Sequence, residues 1–187
     1  MDNQQERIKA DLNWLAGIWE GEGWFSMQRN TKKSSNGIYL DCGVANTDIS
    51  LMDSVMTILS EHFIPFQAGL RNMTGRFGKK PQHHIRIRGF LRVKRFLTLI
   101  LPFLRGEKKE RAVLISKYIK YRELLPSHNV KTGDYEWSLY DQLRALNGTR
   151  PLLSSETNTL NTVRTVKIES ELQRELQRLV ECQPALA

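Results

Sequence analysis

Two parts of the sequence alternate apolar and polar residues on both sides of a polar loop, and each part predicts a β-hairpin. The first hairpin joins residues 24–30 to residues 37–47, and the second joins residues 66–72 to residues 82–88. Because successive side chains of a strand point to opposite faces, each hairpin has one apolar and one polar face. The expected architecture is an antiparallel sheet with helices on its apolar face and its polar face left open.

Helical periodicity occupies most of the chain outside the hairpins. The stripe that predicts the first helix consists of Ile8, Leu12, Leu15, Ala16 and Trp19. Thr47 is expected to cap a second helix, which Pro65 stops. Further helices are predicted over residues 90–104, 107–124, 135–146 and 155–180. The order αββαββα, followed by more helices, indicates an α/β (α+β) fold.

The excess of positive charge lies in the two hairpin regions. The chain carries 28 Lys and Arg residues against 20 Asp and Glu residues, a formal net charge of +8. Residues 24–47 and 65–89 hold nine cations and one acid, Asp41, whereas the other 138 residues hold 19 charges of each sign. Such segregation is typical of a surface that binds a polyanion, and we expect nucleic acid. A β-ribbon fits the DNA major groove, which is about 12 Å wide.

Composition bears on the compartment and excludes several classes of protein. No apolar run approaches the roughly 20 residues of a membrane span, and residues 1–11 lack the apolar core of a secretory signal. We therefore expect an intracellular protein of a bacterial or archaeal cytoplasm or an organelle, not secreted and without a membrane partner. Cys42 and Cys182 lie too far apart for a C-x-x-C motif, and we expect ordinary packing for both. Zinc-type spacing is also missing from the four histidines, His62, His83, His84 and His128.

The most informative segment is LAGIWEGEG at residues 15–23. Gly17 and Gly21 are four residues apart, so they share one helix face on which a second helix can approach closely. Glu22 is expected in the last turn, where the negative end of the helix dipole costs about 0.3–1 kcal/mol unless a cation compensates.

Packing of two such helices through the glycines would bring two Glu22 carboxylates together. Like charges at close range need protons or metal ions, and a pair of hard oxygen ligands suits Mg²⁺. Mg²⁺ in turn favours phosphate chemistry. The alternative is an exposed Glu beside a glycine that ends the helix.

LAGIWEGEG resembles the LAGLIDADG signature of homing endonucleases, with Glu20 and Glu22 at the positions of its two aspartates. The resemblance covers most of residues 8–170, and its further segments are residues 97–105, 107–112, 143–148 and 154–157. A single copy of the motif implies the single-motif, I-CreI-like class, which acts as a homodimer. The implied fold is the LAGLIDADG fold, with a saddle-shaped antiparallel sheet and helices on one face. We expect one such domain at residues 1–154, with residues 155–187 as a C-terminal helix and tail packed on it.

The resemblance also implies an activity, a cofactor and site residues. Family members cut both strands of a long, roughly palindromic double-stranded DNA site with a divalent metal ion, here expected to be Mg²⁺. Glu22 takes the place of the metal-binding acid, assisted by the Gly21 carbonyl, and Gly17 and Gly21 belong to the dimer interface. Lys108 takes the place of the active-site lysine if Gly106 is a one-residue insertion; otherwise Lys109 does.

Asp48 takes the place of a polar residue that positions water, although a role in the first turn or cap of a helix explains it equally well.

The outward positions of the strands are the candidates for DNA reading. They are Gln28, Asn30, Lys32, Tyr39, Asp41, Arg71, His84, Arg86 and Arg88. Arg and Lys can contact guanine, and Gln and Asn can contact adenine. Asp41 can accept from a cytosine amino group or pair with a neighbouring arginine. The loop cations expected on phosphates are Lys33, Arg76, Lys79 and Lys80.

Two functions remain open from the sequence. The first is a metal-dependent, site-specific DNA endonuclease. The second is a binder that does not cut, either an intron RNA maturase, with RNA as its partner, or a DNA-binding regulator. An acid at Glu22 and a lysine at Lys108 favour the enzyme, because a carboxylate placed against phosphate contributes little to binding.

Overall fold

The structure is a computed structural model that describes residues 3–30, 37–71, 80–126 and 130–148 of the 187-residue chain. Its helices are α1 (Asn3–Glu22), α2 (Ile49–Glu61), α3 (Phe90–Ile100), α4 (Gly106–Leu124) and α5 (Asp134–Leu146), and Leu101–Phe103 form a 3₁₀ turn. Its strands are β1 (Gly23–Arg29), β2 (Ile38–Asn46), β3 (Gln67–Arg71) and β4 (Gln82–Arg88). The predicted helix at residues 155–180 lies outside the described residues, as do Lys32, Lys33, Arg76, Lys79, His128 and Cys182.

The four strands form one antiparallel sheet in the order β1-β2-β4-β3. Both predicted hairpins are present, and the central strands β2 and β4 join them. Gly43 of β2 lies opposite Trp24 of β1 and Arg86 of β4, so the register places these three residues side by side. The predicted α+β fold and its element order are confirmed.

Alternation along the strands separates an apolar face from a polar one. The buried strand residues of the apolar face are Phe25, Met27, Leu40, Cys42, Val44, Ile85 and Ile87. Helices cover this face, and the Trp19 and Phe96 rings pack with their centroids 4.7 Å apart. Full burial of each large side chain stabilises the fold by about 1.5–3 kcal/mol. The core therefore fixes which face of the sheet remains open.

Cys42 is a buried core residue, as predicted. Burial raises the pKa of the Cys42 thiol well above its usual range, and the neighbouring Asp41 carboxylate adds to the shift. The thiol therefore stays protonated and acts as a small apolar side chain.

The cap of α2 differs from the prediction. Asp48, rather than Thr47, is the N-cap residue, and its Oδ1 accepts from the backbone nitrogens of Ser50 at 2.9 Å and Leu51 at 3.3 Å. The reason is that the helix begins at Ile49, one residue later than a Thr47 cap requires. Asp48 thus satisfies the otherwise unpaired N–H groups of the first turn.

The chain divides into two compact units, residues 1–116 and 117–187. The first holds the sheet and α1 to α3. In the second, Arg122 pairs with Glu136 at 3.2 Å, and Glu136 also accepts from the Gly133 nitrogen at 2.7 Å. Burial of Tyr118 raises its pKa to about 12, with a further contribution from the Glu136 carboxylate. Among the described helices, each is too short or too polar to cross a membrane.

Candidate catalytic site and nucleic-acid interface

The face of the sheet opposite the helices, called the open face below, carries the predicted DNA-reading residues that the structure describes. They are Gln28, Tyr39, Asp41, Arg71, His84, Arg86 and Arg88, and Asn30 continues the β1 alternation just beyond the strand. Ile85 and Ile87 are buried between these positions, so the predicted alternation of β4 is correct to the residue. The open face presents arginine, histidine and amide groups together, which are groups that read base edges in a groove.

Asp41 lies in the middle of the open face, and 0% of its surface is exposed. Its Oδ1 accepts from Nε of Arg86 at 3.3 Å and from Nε of Arg88 at 3.1 Å. Its Oδ2 accepts from Nη2 of Arg86 at 2.6 Å. The Trp24 indole nitrogen at 3.3 Å and the Gln28 amide nitrogen at 3.2 Å also donate to Oδ2. These five residues are called the Asp41 cluster below.

The two roles predicted for Asp41 are thereby distinguished. Other side chains cover the carboxylate, so this structure leaves Asp41 no exposed acceptor for a cytosine amino group. The alternative, a pair with a neighbouring arginine, is confirmed for both Arg86 and Arg88. A buried carboxylate is tolerated here because charged and neutral donors satisfy both of its oxygens.

Trp24 belongs to the open face, a position that the sequence analysis did not single out. A Cβ on Gly43 would lie 2.4 Å from Cζ2 and 2.6 Å from Cη2 of Trp24, so the indole occupies the space above this glycine. The Arg86 guanidinium carbon lies 5.8 Å from the centroid of the Trp24 ring, within cation–π range. The signal in the sequence was available, since Trp24 has the same parity along β1 as Gln28.

Glu22 and Lys108 come together at the end of α1. Glu22 is the last residue of the helix and is exposed, and the half-buried Lys108 in the first turn of α4 donates from Nζ to the carbonyl oxygen of Gly23. The last turn of α1 contains no basic residue of its own. Lys108 therefore supplies the cation that an acid at the negative end of a helix dipole requires.

The electrostatic surroundings of Lys108 have opposing effects. Desolvation by burial, and secondly the Arg111 guanidinium, lower the pKa of Lys108 from its ordinary value. The carboxylates that act in the opposite direction are those of Glu20, Glu107 and Glu22. An ammonium group that is partly removed from water interacts more strongly with anionic groups than an exposed lysine does.

Glu20 has a role that the sequence did not reveal. Its Oε1 accepts from the backbone nitrogen of Arg105 at 2.5 Å. Gly106 follows at φ +51°, a conformation that favours glycine, and it begins α4. Glu20 thus anchors the turn that brings Lys108 to the end of α1. Lys109, the alternative active-site lysine, is exposed.

Gly17 and Gly21 lie on the exposed side of α1. Within the described part of one chain, a Cβ at either glycine would meet no atom within 4 Å beyond the backbone of its own helix. Trp14 on the same side is 40% exposed, and Ile18 is half-buried. This side of the helix is partly apolar and has no side chains at the two glycines, which are properties that let a second helix approach closely.

The described residues fit a hard divalent cation at Glu22 but do not by themselves complete a site. Among the described residues, no three His, Cys, Asp or Glu side chains lie together as metal ligands do. The Glu22 carboxylate is exposed at the helix end, and the Gly21 carbonyl is one of the last four of α1, which have no partner within the helix. Both are oxygen donors of the type that Mg²⁺ accepts, and further ligands would have to come from beyond the described residues of this chain.

No protein-family model and no curated protein matches the sequence, but solved structures match the fold. The homing endonuclease I-CvuI, in complex with the I-CreI target, matches with a TM-score of 0.56 at 17% identity, over 82% of this chain and 88% of that chain. The LAGLIDADG homing endonuclease I-GzeII with its DNA target matches with a TM-score of 0.52 at 12% identity, over 79% of this chain and 54% of that chain. I-CeuI, a group I intron-encoded homing endonuclease complexed with DNA, matches with a TM-score of 0.51 at 16% identity, over 75% of this chain and 69% of that chain. The protein therefore has the fold of the LAGLIDADG homing endonucleases, as the motif at residues 15–23 predicts.

Proposed function

We propose that the protein is a homing endonuclease that makes a Mg²⁺-dependent double-strand break at a long, pseudo-palindromic DNA site as a homodimer. The observation that carries this proposal is the juxtaposition of Glu22 and Lys108 at the end of α1. A basic, arginine-bearing sheet face on the same chain and the DNA complexes of the neighbours with this fold support it. Because the substrate is genomic DNA, the activity requires an intracellular compartment.

DNA recognition is assigned to the open face. Each copy lays its sheet along the major groove of one half-site, where Arg71 and His84 meet base edges. Lys80, which is exposed two residues before β4, is suited to a phosphate contact.

Catalysis is assigned to the end of α1. Glu22, with the Gly21 carbonyl, would hold Mg²⁺, which when bound polarises phosphoryl oxygens and activates water. Lys108 stabilises the negative charge that develops on the phosphate, from a position fixed by the Gly23 carbonyl. Asp48 is assigned a part in positioning water. Its Oδ1 accepts the two capping bonds from the α2 backbone, so this role falls to the rest of the carboxylate.

The surface of α1 supports the proposed homodimer. One chain offers one Glu22, and a dimer would place one such acid at each of the two strands. Packing of two α1 helices through Gly17 and Gly21 provides both acids near one two-fold axis.

Lys108→Met is expected to lower the single-turnover cleavage rate by about 100-fold, because it removes the charge but keeps the length of the stem. Lys109→Met, the neighbouring exposed position, is expected to cleave within a few-fold of wild type. Single-turnover assays on a cleavable duplex measure both rates, and circular dichroism verifies that both variants fold. A large loss confined to Lys109→Met would assign the active-site lysine to Lys109 and remove Lys108 from the mechanism.

The proposed activity is tested with a randomised duplex DNA library. Purified protein is incubated with the library in Mg²⁺ or in EDTA, and new ends are captured and sequenced. We expect ends that share one sequence in Mg²⁺ and none in EDTA. Salt-sensitive binding without any cutting would refute the enzyme and favour the binder alternative, for which structured RNA is the next ligand to test.

A further inference from the structure

We propose that Asp41 is a positioning residue that sets the base preference of the open face by holding Arg86 and Arg88 in fixed orientations. The two guanidinium groups then select guanine at one or two neighbouring base pairs in each half-site. This inference rests on the proposed DNA-reading function and deepens it, since it assigns a specificity to one part of the sheet.

The Asp41 carboxylate binds the guanidinium groups of both arginines. Arg86 binds it through Nε and Nη2, at 3.3 Å and 2.6 Å, so its planar guanidinium is fixed at two points. Arg88 binds Oδ1 through Nε alone, at 3.1 Å. Because both arginines donate Nε to the same oxygen, their guanidinium groups converge on one point of the sheet rather than following its length.

Both arginines keep part of their side chains exposed outside these bonds. The Arg86 side chain is 29% exposed and that of Arg88 is 41% exposed, while Asp41 below them is 0% exposed. Asp41 does not engage the two terminal nitrogens of Arg88, and those nitrogens form the fork that matches guanine O6 and N7. A fork whose direction is set before binding loses less conformational entropy when it meets a base.

The rest of the Asp41 cluster limits the alternatives open to the carboxylate. Trp24 and Gln28 both donate to Oδ2, and the Trp24 ring also lies within cation–π distance of Arg86. Gly43 leaves the space that the indole occupies. The carboxylate is therefore held from both neighbouring strands, and it cannot follow an arginine that swings away.

The negative charge of Asp41 has an effect on DNA binding that can be measured. Asp41 is the single acid in the two hairpin regions, and it offsets part of the charge of two adjacent arginines. Loss of this charge makes the open face more attractive to any phosphate backbone but frees the arginines to adopt other directions. Non-specific binding and base selectivity should then change in opposite directions, which a purely structural residue would not cause.

The test compares Asp41→Asn with wild type and with Asp53→Asn, which makes the same charge change at an exposed site in α2. Each protein selects bound duplexes from the randomised library without divalent metal, and the selected pools are sequenced. Wild type and Asp53→Asn should enrich guanine at the same positions of each half-site. Asp41→Asn should lose that enrichment, lower the ratio of specific to non-specific affinity by about tenfold or more, and bind random DNA at least as tightly as wild type.

Arg88→Lys tests whether Asp41 acts through the arginine, because it keeps the charge and removes the fork. It should lose guanine enrichment at one of the positions that Asp41→Asn affects, and this holds as a test even if Asp41→Asn fails to fold. Unchanged enrichment in Arg88→Lys overturns the proposal. So does Asp41→Asn with the wild-type preference, with a loss of cytosine instead of guanine on the contacted strand, or with equally weaker binding to every sequence. A wild-type protein that enriches no sequence refutes the proposed function itself, and the inference with it.

Discussion

Glu22→Gln abolishes DNA cleavage in the mechanism proposed here, while it leaves specific binding nearly unchanged. The substitution keeps the size of the side chain and removes the negative charge that a hard cation requires. Glu22 is exposed, and no hydrogen bond holds its carboxylate among the described residues, so folding does not depend on it. We expect the single-turnover cleavage rate to fall by at least about 100-fold. Fluorescence anisotropy on the same duplex measures the dissociation constant.

Glu6→Gln is the matched control for this prediction. Glu6 is an exposed acid in the first turn of the same helix, at the opposite end of α1 from Glu22. The change in net charge is therefore identical, but it lies far from the proposed metal site. It should cleave at the wild-type rate. If Glu22→Gln binds its site much more weakly, or if it still cuts, Glu22 is not the metal-binding acid.

Gly17→Leu is expected to leave the monomer folded, to prevent dimer formation and to abolish double-strand cleavage. Among the described residues, a Cβ at Gly17 meets no atom within 4 Å beyond the backbone of its own helix, so we expect leucine to be accommodated within the protomer. Leucine also has a higher helix propensity than glycine, by roughly 0.5–1 kcal/mol. In a dimer packed through this face, the same side chain would force the two helices apart. Sedimentation equilibrium and thermal unfolding separate the two effects.

Lys9→Leu adds comparable apolar bulk at an exposed position of α1 that lies to one side of the glycine stripe. It should sediment as a dimer and cleave like wild type. A Gly17→Leu protein that remains dimeric would exclude the glycine face as the dimer interface. A Gly17→Leu protein that unfolds would show that Gly17 serves the protomer rather than the dimer.

The fold was predictable because alternation is a local property. Inward and outward positions of a strand differ by one residue, and Ile85, Arg86 and Ile87 fall on the predicted faces. The same locality explains what the sequence could not show. Asp41 looks like any outward acid until β1 and β4 bring four donor side chains over it.

The identity of the lysine beside Glu22 depended on similar long-range contacts. Lys108 and Lys109 are adjacent, and one residue turns a helical side chain by about 100°. The direction of α4 is set by the bond from Arg105 to Glu20 and by the positive φ of Gly106. None of these can be deduced from a charged run alone. The catalytic roles of Glu22, Lys108 and Asp48 stay predictions until variants are assayed.

In the proposed function, two copies of this chain, each with one Glu22, cut the two strands of one site. The most direct measurement is to sequence both strands of every end that the wild-type protein releases from the randomised library with Mg²⁺. A homodimer with one Glu22 in each copy should yield one pseudo-palindromic site with two cuts related by its two-fold axis. A nick confined to one strand, or a cleaved site without two-fold symmetry, would contradict it.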